Sequence, residues 1–353
     1  MKNTAFSGMI QPLLELESYQ KLLNTLKDHH SPILTTGILD SQKAHLIYAL
    51  QTHTDRPVII LTHNEMKVKE LYEDMQFFIK DNIYVYPSKD PLFYSADVHS
   101  IDIVRQRLNV IKALLDQKNP VIILSVEALL DRLVRKDVFK TFIINLSVGD
   151  IVSTKELARQ LVLMGYEHVE LVESPGQFAI RGGIIDIYSG TLPHPYRIEF
   201  WDDEIDSIRQ MDPMTQRSAE KVEQIEIFPM KELVFTEEVI QAAITRIEEE
   251  AKKRLKQMEK KGLKEQKETL SKTVDAFLEK LRNQKTFQGV EGYIKYFYED
   301  TVTLADYLDQ ETLFIIDEPI RIKERCFKTI LEFEESMKGR LEKGYILPCQ
   351  MEA

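Results

Sequence analysis

The sequence predicts an α/β fold: a parallel-sheet scaffold interrupted by a compact α+β domain. Three observations carry this. Continuous β-branched runs alternate with helical patterns in the first third of the 353-residue chain and return near its end. Past residue 136 the pattern changes to strands that alternate apolar and polar side chains. A highly charged, helix-forming stretch separates those strands from the return. Strands buried on both faces of a parallel sheet read as unbroken apolar runs, whereas half-solvated antiparallel strands alternate.

Pro32-Ile33-Leu34-Thr35 reads as the first strand, followed by a helix around Ser41 to Thr52. Val58-Ile59-Ile60-Leu61 leads into a helix from Glu65 to Lys80. Ile83-Tyr84-Val85-Tyr86 leads through a loop into Ile101 to Asp116, and Val121-Ile122-Ile123-Leu124 into Glu127 to Val134. Such alternation builds a doubly wound sheet. Phe139 to Leu146 opens β-hairpin material, and a helix around Ser153 to Met164 ends at Gly165, a C-cap glycine. A β-meander and a strand from Val222 to Phe228 complete the α+β unit. Glu237 to Lys285 reads as an antiparallel helical hairpin broken near Gly262, with Val239, Ala243, Ile244 and Ile247 at helical spacing. Leu313-Phe314-Ile315-Ile316 is a buried strand, and a helix runs from Ile320 to about Met337. The expected domains are 1–136, 137–229 and 230–353.

The meander from Glu173 to Ser218 is the most informative stretch. Side chains on a strand point alternately to opposite faces. In Tyr196-Arg197-Ile198-Glu199-Phe200-Trp201, a core face collects Tyr196, Ile198 and Phe200, and the other face collects Arg197, Glu199 and Trp201. Upstream, Phe178 and Ile180 fall on one side of a strand, and Ala179 and Arg181 on the other. Gly182-Gly183 then permits a bulge or a close backbone approach. Arg and Trp dominate protein interfaces, because they combine area with directional polar contacts. Two arginines and the single tryptophan on one face therefore fit a protein-docking surface. The alternative is that Arg181 and Arg197 pair with local carboxylates such as Glu199, while Trp201 caps the edge of the core.

Composition narrows the function. A hydrophobic content of 43% with 29% charged residues is ordinary for a globular protein. The net charge of −11 argues against a broad nucleic-acid footprint, which needs phosphate neutralisation by Lys and Arg. The two cysteines, Cys326 and Cys349, have no metal-ligand spacing, and the eight histidines have no ligand partners at suitable spacing, so no metal or other cofactor is expected. The N-terminal residues lack a signal-peptide layout, and no apolar run approaches the length of a membrane span, so a cytoplasmic protein without membrane contact is expected.

The strand ending in Asp317-Glu318 has the form of a Walker B element, whose Asp organises Mg²⁺ and whose Glu orients the attacking water. Its phosphate cradle would be Gly37-Ile38-Leu39-Asp40-Ser41-Gln42-Lys43-Ala44, set against G-x-x-x-x-G-K-[ST]. Gly37 and Lys43 match. Gln42 replaces the glycine that lets backbone N–H groups close on phosphate, and Ala44 replaces the magnesium-binding hydroxyl. Asp40 adds a carboxylate where phosphate charge would sit, which is repulsive unless paired. Lys43 then reads as a surface lysine in the first turn of a helix. The nucleotide site at Gly37, Lys43, Asp317 and Glu318 is degenerate and is not expected to bind.

The runs G-x-F-A-x-R-G-G-I-I-D-I-Y from Gly176, P-Y-R-I-E-F-x-D-D-E-I-D-S-I-R from Pro195 to Arg209, and D-x-x-T-Q-R-S from Asp212 to Ser218 carry a family resemblance. They resemble the second domain of the bacterial transcription-repair coupling factors, the Mfd family, and the related domain of the excision-repair protein UvrB. A weaker similarity covers nearly the whole chain. The resemblance implies a RecA/UvrB-like degenerate P-loop scaffold with the α+β docking domain inserted. It implies that this domain recruits the damage-recognition ATPase UvrA, through Arg181, Arg197 and an aromatic at the place of Trp201. It also implies that RNA polymerase and DNA are engaged only through regions beyond Ala353, and that distal domains of the same full-length protein, an ATP-dependent DNA translocase, mask the docking face at rest. UvrB-like proteins further carry an aromatic DNA-gripping hairpin. Here the corresponding region, Pro87 to Ile101, holds only Phe93 and Tyr94, which either stack on bases or pack on the domain edge.

The expectation is a non-catalytic recruitment module that binds UvrA and brings nucleotide excision repair to stalled RNA polymerase. The alternative is a UvrB-like ATP-dependent DNA-repair enzyme module, which would need ATP to bind despite Gln42 and Ala44.

Overall fold

The computed structural model describes residues 7–89, 97–116, 118–284, 287 and 289–352. Phe93 and Tyr94 lie outside the described residues. Contacts divide the chain into two compact units. One comprises Met1–Ser88, Val110–Leu129 and Leu308–Cys326, the other Lys89–Asn109, Leu130–Tyr307 and Phe327–Ala353. Among the described residues no helix is long and apolar enough to cross a membrane.

The first unit is built on a four-stranded parallel sheet of β1 (Val58–Thr62), β2 (Ile83–Tyr86), β3 (Val121–Ser125) and β12 (Leu313–Ile316), in the order β12-β1-β3-β2. Every residue of β1 and β3 is buried, as their unbroken apolar runs require. Helices Glu17–Lys27, Asp40–Thr54 and Glu65–Phe78 pack Leu23, Ile47, Val68 and Met75 into a core shared with Val58, Ile60, Val121 and Ile123. Two strand expectations change. Pro32–Thr35 forms no strand; it is irregular, and Leu34 is 81% exposed. Among the described residues no strand pairs with it, and Pro32 has no N–H to offer one. Leu313–Ile316 is a strand, but at the sheet edge, with Phe314 and Ile316 exposed. The helix expected at Glu127 to Val134 is shorter, Val126–Leu130.

The second unit holds a six-stranded sheet of β5 (Glu167–His168), β6 (Gln177–Arg181), β7 (Ile184–Tyr188), β8 (Tyr196–Trp201), β9 (Glu204–Met211) and β10 (Ser218–Val222). β6 to β10 form an antiparallel meander, and β5 joins β6 in parallel. A two-stranded sheet pairs β4 (Ile144–Ser147) with β11 (Gln224–Ile227). Phe139 belongs to the helix Lys136–Lys140 rather than to a hairpin, and the strand expected from Val222 to Phe228 is split between β10 and β11. Helix Thr154–Leu163 covers the meander's core face. Leu157 and Leu161 meet Phe178, Ile185, Ile198 and Ile208. Gly165, at φ +92°, ends this helix, with Gly165 N–H donating to Val162 and Tyr166 N–H to Leu161, a complete Schellman motif.

The charged stretch is the helical hairpin Glu237–Lys260 and Lys264–Gln284, turned at Gly262 (φ +69°). Ile240, Ala243, Ile244 and Ile247 of one helix and Leu270, Val274 and Leu281 of the other form its own core with Phe297 and Leu347. In the same unit Arg107 is fully buried, donating from Nε to Glu232 at 2.5 Å and from Nη1 to Asp131 at 2.7 Å. Lys89 also pairs with Glu232.

Candidate protein-docking site

The meander's two faces separate as strand alternation dictates. Tyr196, Ile198 and Phe200 join the core with Phe178, Ile180, Ile185 and Ile187. On the opposite face, cross-strand pairing aligns Ala179, Asp186, Arg197 and Arg209 in one row. The next row holds Arg181, Ile184, Glu199 and Ser207. The first row is partly roofed, because Val172 and Met211 close over Ala179 in a small satellite cluster. In the second row Arg181 is exposed and Ile184 and Glu199 are half-buried, while Ser207 is buried.

Asp186 organises this face. Its side chain is fully buried. Arg197 reaches it as a two-pronged fork, Nε to Oδ1 at 2.7 Å and Nη2 to Oδ2 at 2.9 Å. Arg181 Nη2 donates to the same Oδ2. Planar guanidinium and carboxylate groups match in this way, and the charge strengthens each bond. Hydrogen bonding to Asp186 holds Arg197 above even the ordinary arginine range. The expected local partner, Glu199, instead accepts from Ser207 Oγ at 2.6 Å, while Arg209 Nε stands 3.9 Å away. Around Asp186 and Glu199 three guanidiniums thus share two carboxylates, while Lys221 stands across from Arg209 and the exposed Glu204 across from Trp201. The two sequence-predicted arginines differ in exposure: the side chain of Arg181 is 42% exposed, that of Arg197 only 16%.

Trp201 does not cap the core. It is 81% exposed at the end of β8, beside the Asp202-Asp203 turn. It shares a face with Arg197 but stands four residues, about 13 Å, along the strand from it. Trp201 pairs with Glu204, and Glu204 bridges to Ile151, which is also 81% exposed. Two large apolar side chains therefore flank one exposed glutamate. Sequence reading missed both Asp186, which stood inside an apolar run, and Ile151, whose neighbour across the sheet is remote in sequence. A lone Asp flanked by isoleucines was the available signal for the first. The paired glycines behave as expected. Gly182 takes φ +60°, and a Cβ on Gly183 would come within 3.0 Å of the Phe200 carbonyl oxygen.

The nucleotide-site residues lie in the first unit. Lys43 is in the first turn of helix Asp40–Thr54, but it is not a free surface lysine. Its Nζ contacts Asp40 and Asp317, each at 2.7 Å, and its side chain is 18% exposed. Burial works against its charge, yet Asp317 and Asp40 outweigh this and hold it above the ordinary lysine range. Asp40 also meets Lys67 at 3.2 Å. Gln42 turns its side chain back to accept from the Leu39 N–H at 3.2 Å, a helix-capping role. Gly37 takes φ +79° in open space, with no strand before it. Glu318 lies 3.4 Å from His63 and 3.1 Å from Arg321. The cleft beside Lys43 is lined by Asp40, Glu70, Glu73 and Asp74 against Lys67, so carboxylates outnumber lysines there. Among the described residues no cluster of His, Cys, Asp and Glu could hold a metal ion.

The model of the UvrB interaction domain family matches residues 144–233, the interval that holds β4 through β11. The whole chain is similar to transcription-repair-coupling factors. It is 33% identical to that of Bacillus subtilis over 334 residues, which is 94% of this chain and 28% of the relative. It is 30% identical to that of Staphylococcus haemolyticus over 318 residues, 89% of this chain and 27% of the relative. The chain thus spans little more than a quarter of the length of the curated relatives it matches. Arg181, Asp186, Arg197 and Trp201 all lie inside the matched interval.

Proposed function

We propose that this chain is a non-catalytic recruitment module of a transcription-repair coupling factor. It docks UvrA on the open face of β6–β8 and so brings nucleotide excision repair to stalled RNA polymerase in the cytoplasm. Arg181, Arg197 and Trp201 carry the contact, in a docking domain of about 137–229. RNA polymerase and DNA are met by other parts of the full-length protein, and a distal domain covers the same face at rest. The observation that carries the proposal is a UvrB interaction domain whose outward face combines two arginines gathered on one buried carboxylate with a tryptophan left in solvent. Such a surface combines arginine with an uncovered aromatic anchor, the usual ingredients of a binding hot spot. The non-catalytic assignment rests on Lys43 being engaged by Asp317 and Asp40, on Gln42 and Ala44 in the cradle, and on the lack of a strand before Gly37.

The test is calorimetric titration of purified UvrA with the wild-type chain and with Arg181→Ala/Arg197→Ala. Wild type is expected to bind, and the double variant to lose about 2 kcal/mol or more of binding free energy. No binding by wild type, or equal binding by both, removes the proposal.

A further inference from the structure

We infer that Asp186 is the positioning residue of the docking face, fixing Arg181 and Arg197 in the geometry that meets the partner. The inference rests on the UvrA-docking function proposed above. Asp186 sits between Ile185 and Ile187 on β7, fully buried, at a place where a strand ordinarily carries an apolar residue. Burying a carboxylate is costly, and replacing a buried ion pair by apolar side chains is often neutral or stabilising. Stability alone therefore gives little reason for this aspartate. Its contacts give another. It takes both prongs of Arg197, which is then held close to the sheet, and it takes a single N–H group of Arg181. Arg181 is held by Nη2, and its side chain is 42% exposed against 16% for Arg197. An arginine is flexible, and a partner that must order it on contact loses affinity to that ordering. Asp186 orders it beforehand. One buried carboxylate thus presents two guanidiniums as a single rigid plate, with Arg197 as the foot and Arg181 as the reaching hand.

Asparagine at 186 keeps the shape but replaces one acceptor by an N–H₂ group that faces a guanidinium. Asp186→Asn is expected to weaken binding of purified UvrA about tenfold when measured below its melting transition, which is expected to fall because Arg197 loses its charged partner. In an Arg181→Ala background the same substitution is expected to cost less than in wild type, because only Arg197 is left for it to act through. Wild-type affinity of Asp186→Asn overturns the inference, and so does an equal loss in both backgrounds. A second comparison serves if Asp186→Asn fails to fold. Asp186→Leu/Arg197→Leu, an apolar replacement of the buried pair, is set against Arg197→Leu alone. The double variant is expected to be the more heat-stable of the two and yet to bind UvrA about fivefold or more weakly, since Arg181 has lost its anchor. Affinity that recovers together with stability overturns the positioning role. Failure of wild type itself to bind UvrA is a separate result that removes the proposed function.

Discussion

At the scale of single residues, the two arginines of the docking face are not equivalent. Arg197 neutralises a fully buried carboxylate through two short bonds, whereas Arg181 adds one contact and is the more exposed of the two. Removing one partner of a buried pair leaves an uncompensated charge. Arg197→Ala is therefore expected to lower stability by about 3 kcal/mol, and Arg181→Ala by less than about 1 kcal/mol. Chemical denaturation of the two variants checks this, and equal losses would contradict the assigned roles. Ile151 is the second residue-scale case. It is as exposed as Trp201 and lies across Glu204 from it. If the docking surface reaches the end of the β8–β9 hairpin, Ile151→Ala weakens UvrA binding by about 1 kcal/mol with no loss of stability. An unchanged dissociation constant would place the edge of the surface short of Ile151.

At the scale of elements, a buried ion network ties the helix Asp97–Leu115 to the segment after β11 within the second unit. Arg107 is shared by Glu232 and Asp131, and Lys89 also reaches Glu232. Burial raises the cost of charge at Glu232, but Arg107 and Lys89 outweigh it and hold the carboxyl at about 2. Asp131 has the weaker share of these cations, and burial pushes its carboxyl up. Because the Glu232 value in the fold lies below that of an unfolded chain, its contribution is present above about pH 4.5 and is lost as pH falls towards 2. The stability gap between wild type and Glu232→Gln should therefore be wide at pH 7 and close between pH 4.5 and 2. Thermal unfolding of both proteins across that range measures it, and a gap independent of pH would mean that Glu232 holds no charge in the fold. The network was not legible in the sequence. Arg107 and Glu232 are 125 positions apart, and each alone looks like an ordinary surface charge.

At the scale of the whole molecule, the proposed lack of nucleotide binding turns on the partners of Lys43. Lys43 bridges Asp40 and Asp317, so its ammonium already has two anions at hydrogen-bond distance. A triphosphate would have to displace them and then face the carboxylates of Glu70, Glu73 and Asp74. Mg-ATP at concentrations up to the millimolar range is accordingly expected to leave the melting temperature unchanged. A ligand at 100 times its dissociation constant would stabilise by about 2.7 kcal/mol, a shift of several degrees that differential scanning fluorimetry detects easily. Such a shift would restore the reading as a nucleotide-dependent repair module. The net charge of −11 bears on the same scale, since it disfavours a broad phosphate-binding surface on this chain.

Sequence alone determined the period of each element: unbroken apolar runs for β1 and β3, strict alternation in β6–β8, helical spacing in the Glu237–Gln284 hairpin, and hence which side chains share a face. Periodicity is local, so one strand's own residues suffice to assign it. It also fixed where residues 37–44 depart from the G-x-x-x-x-G-K-[ST] pattern, because those departures are residue identities. Only the tertiary structure decided what those faces meet. Pro32–Thr35 has the composition of a strand but no neighbour to pair with, and β12 lies at an edge rather than in the middle of the sheet. Arg181 and Arg197 found Asp186 rather than Glu199, and Lys43 found Asp317, because a charge pairs with what register and packing bring within a few ångströms of it, and register between distant strands is not written in either strand alone.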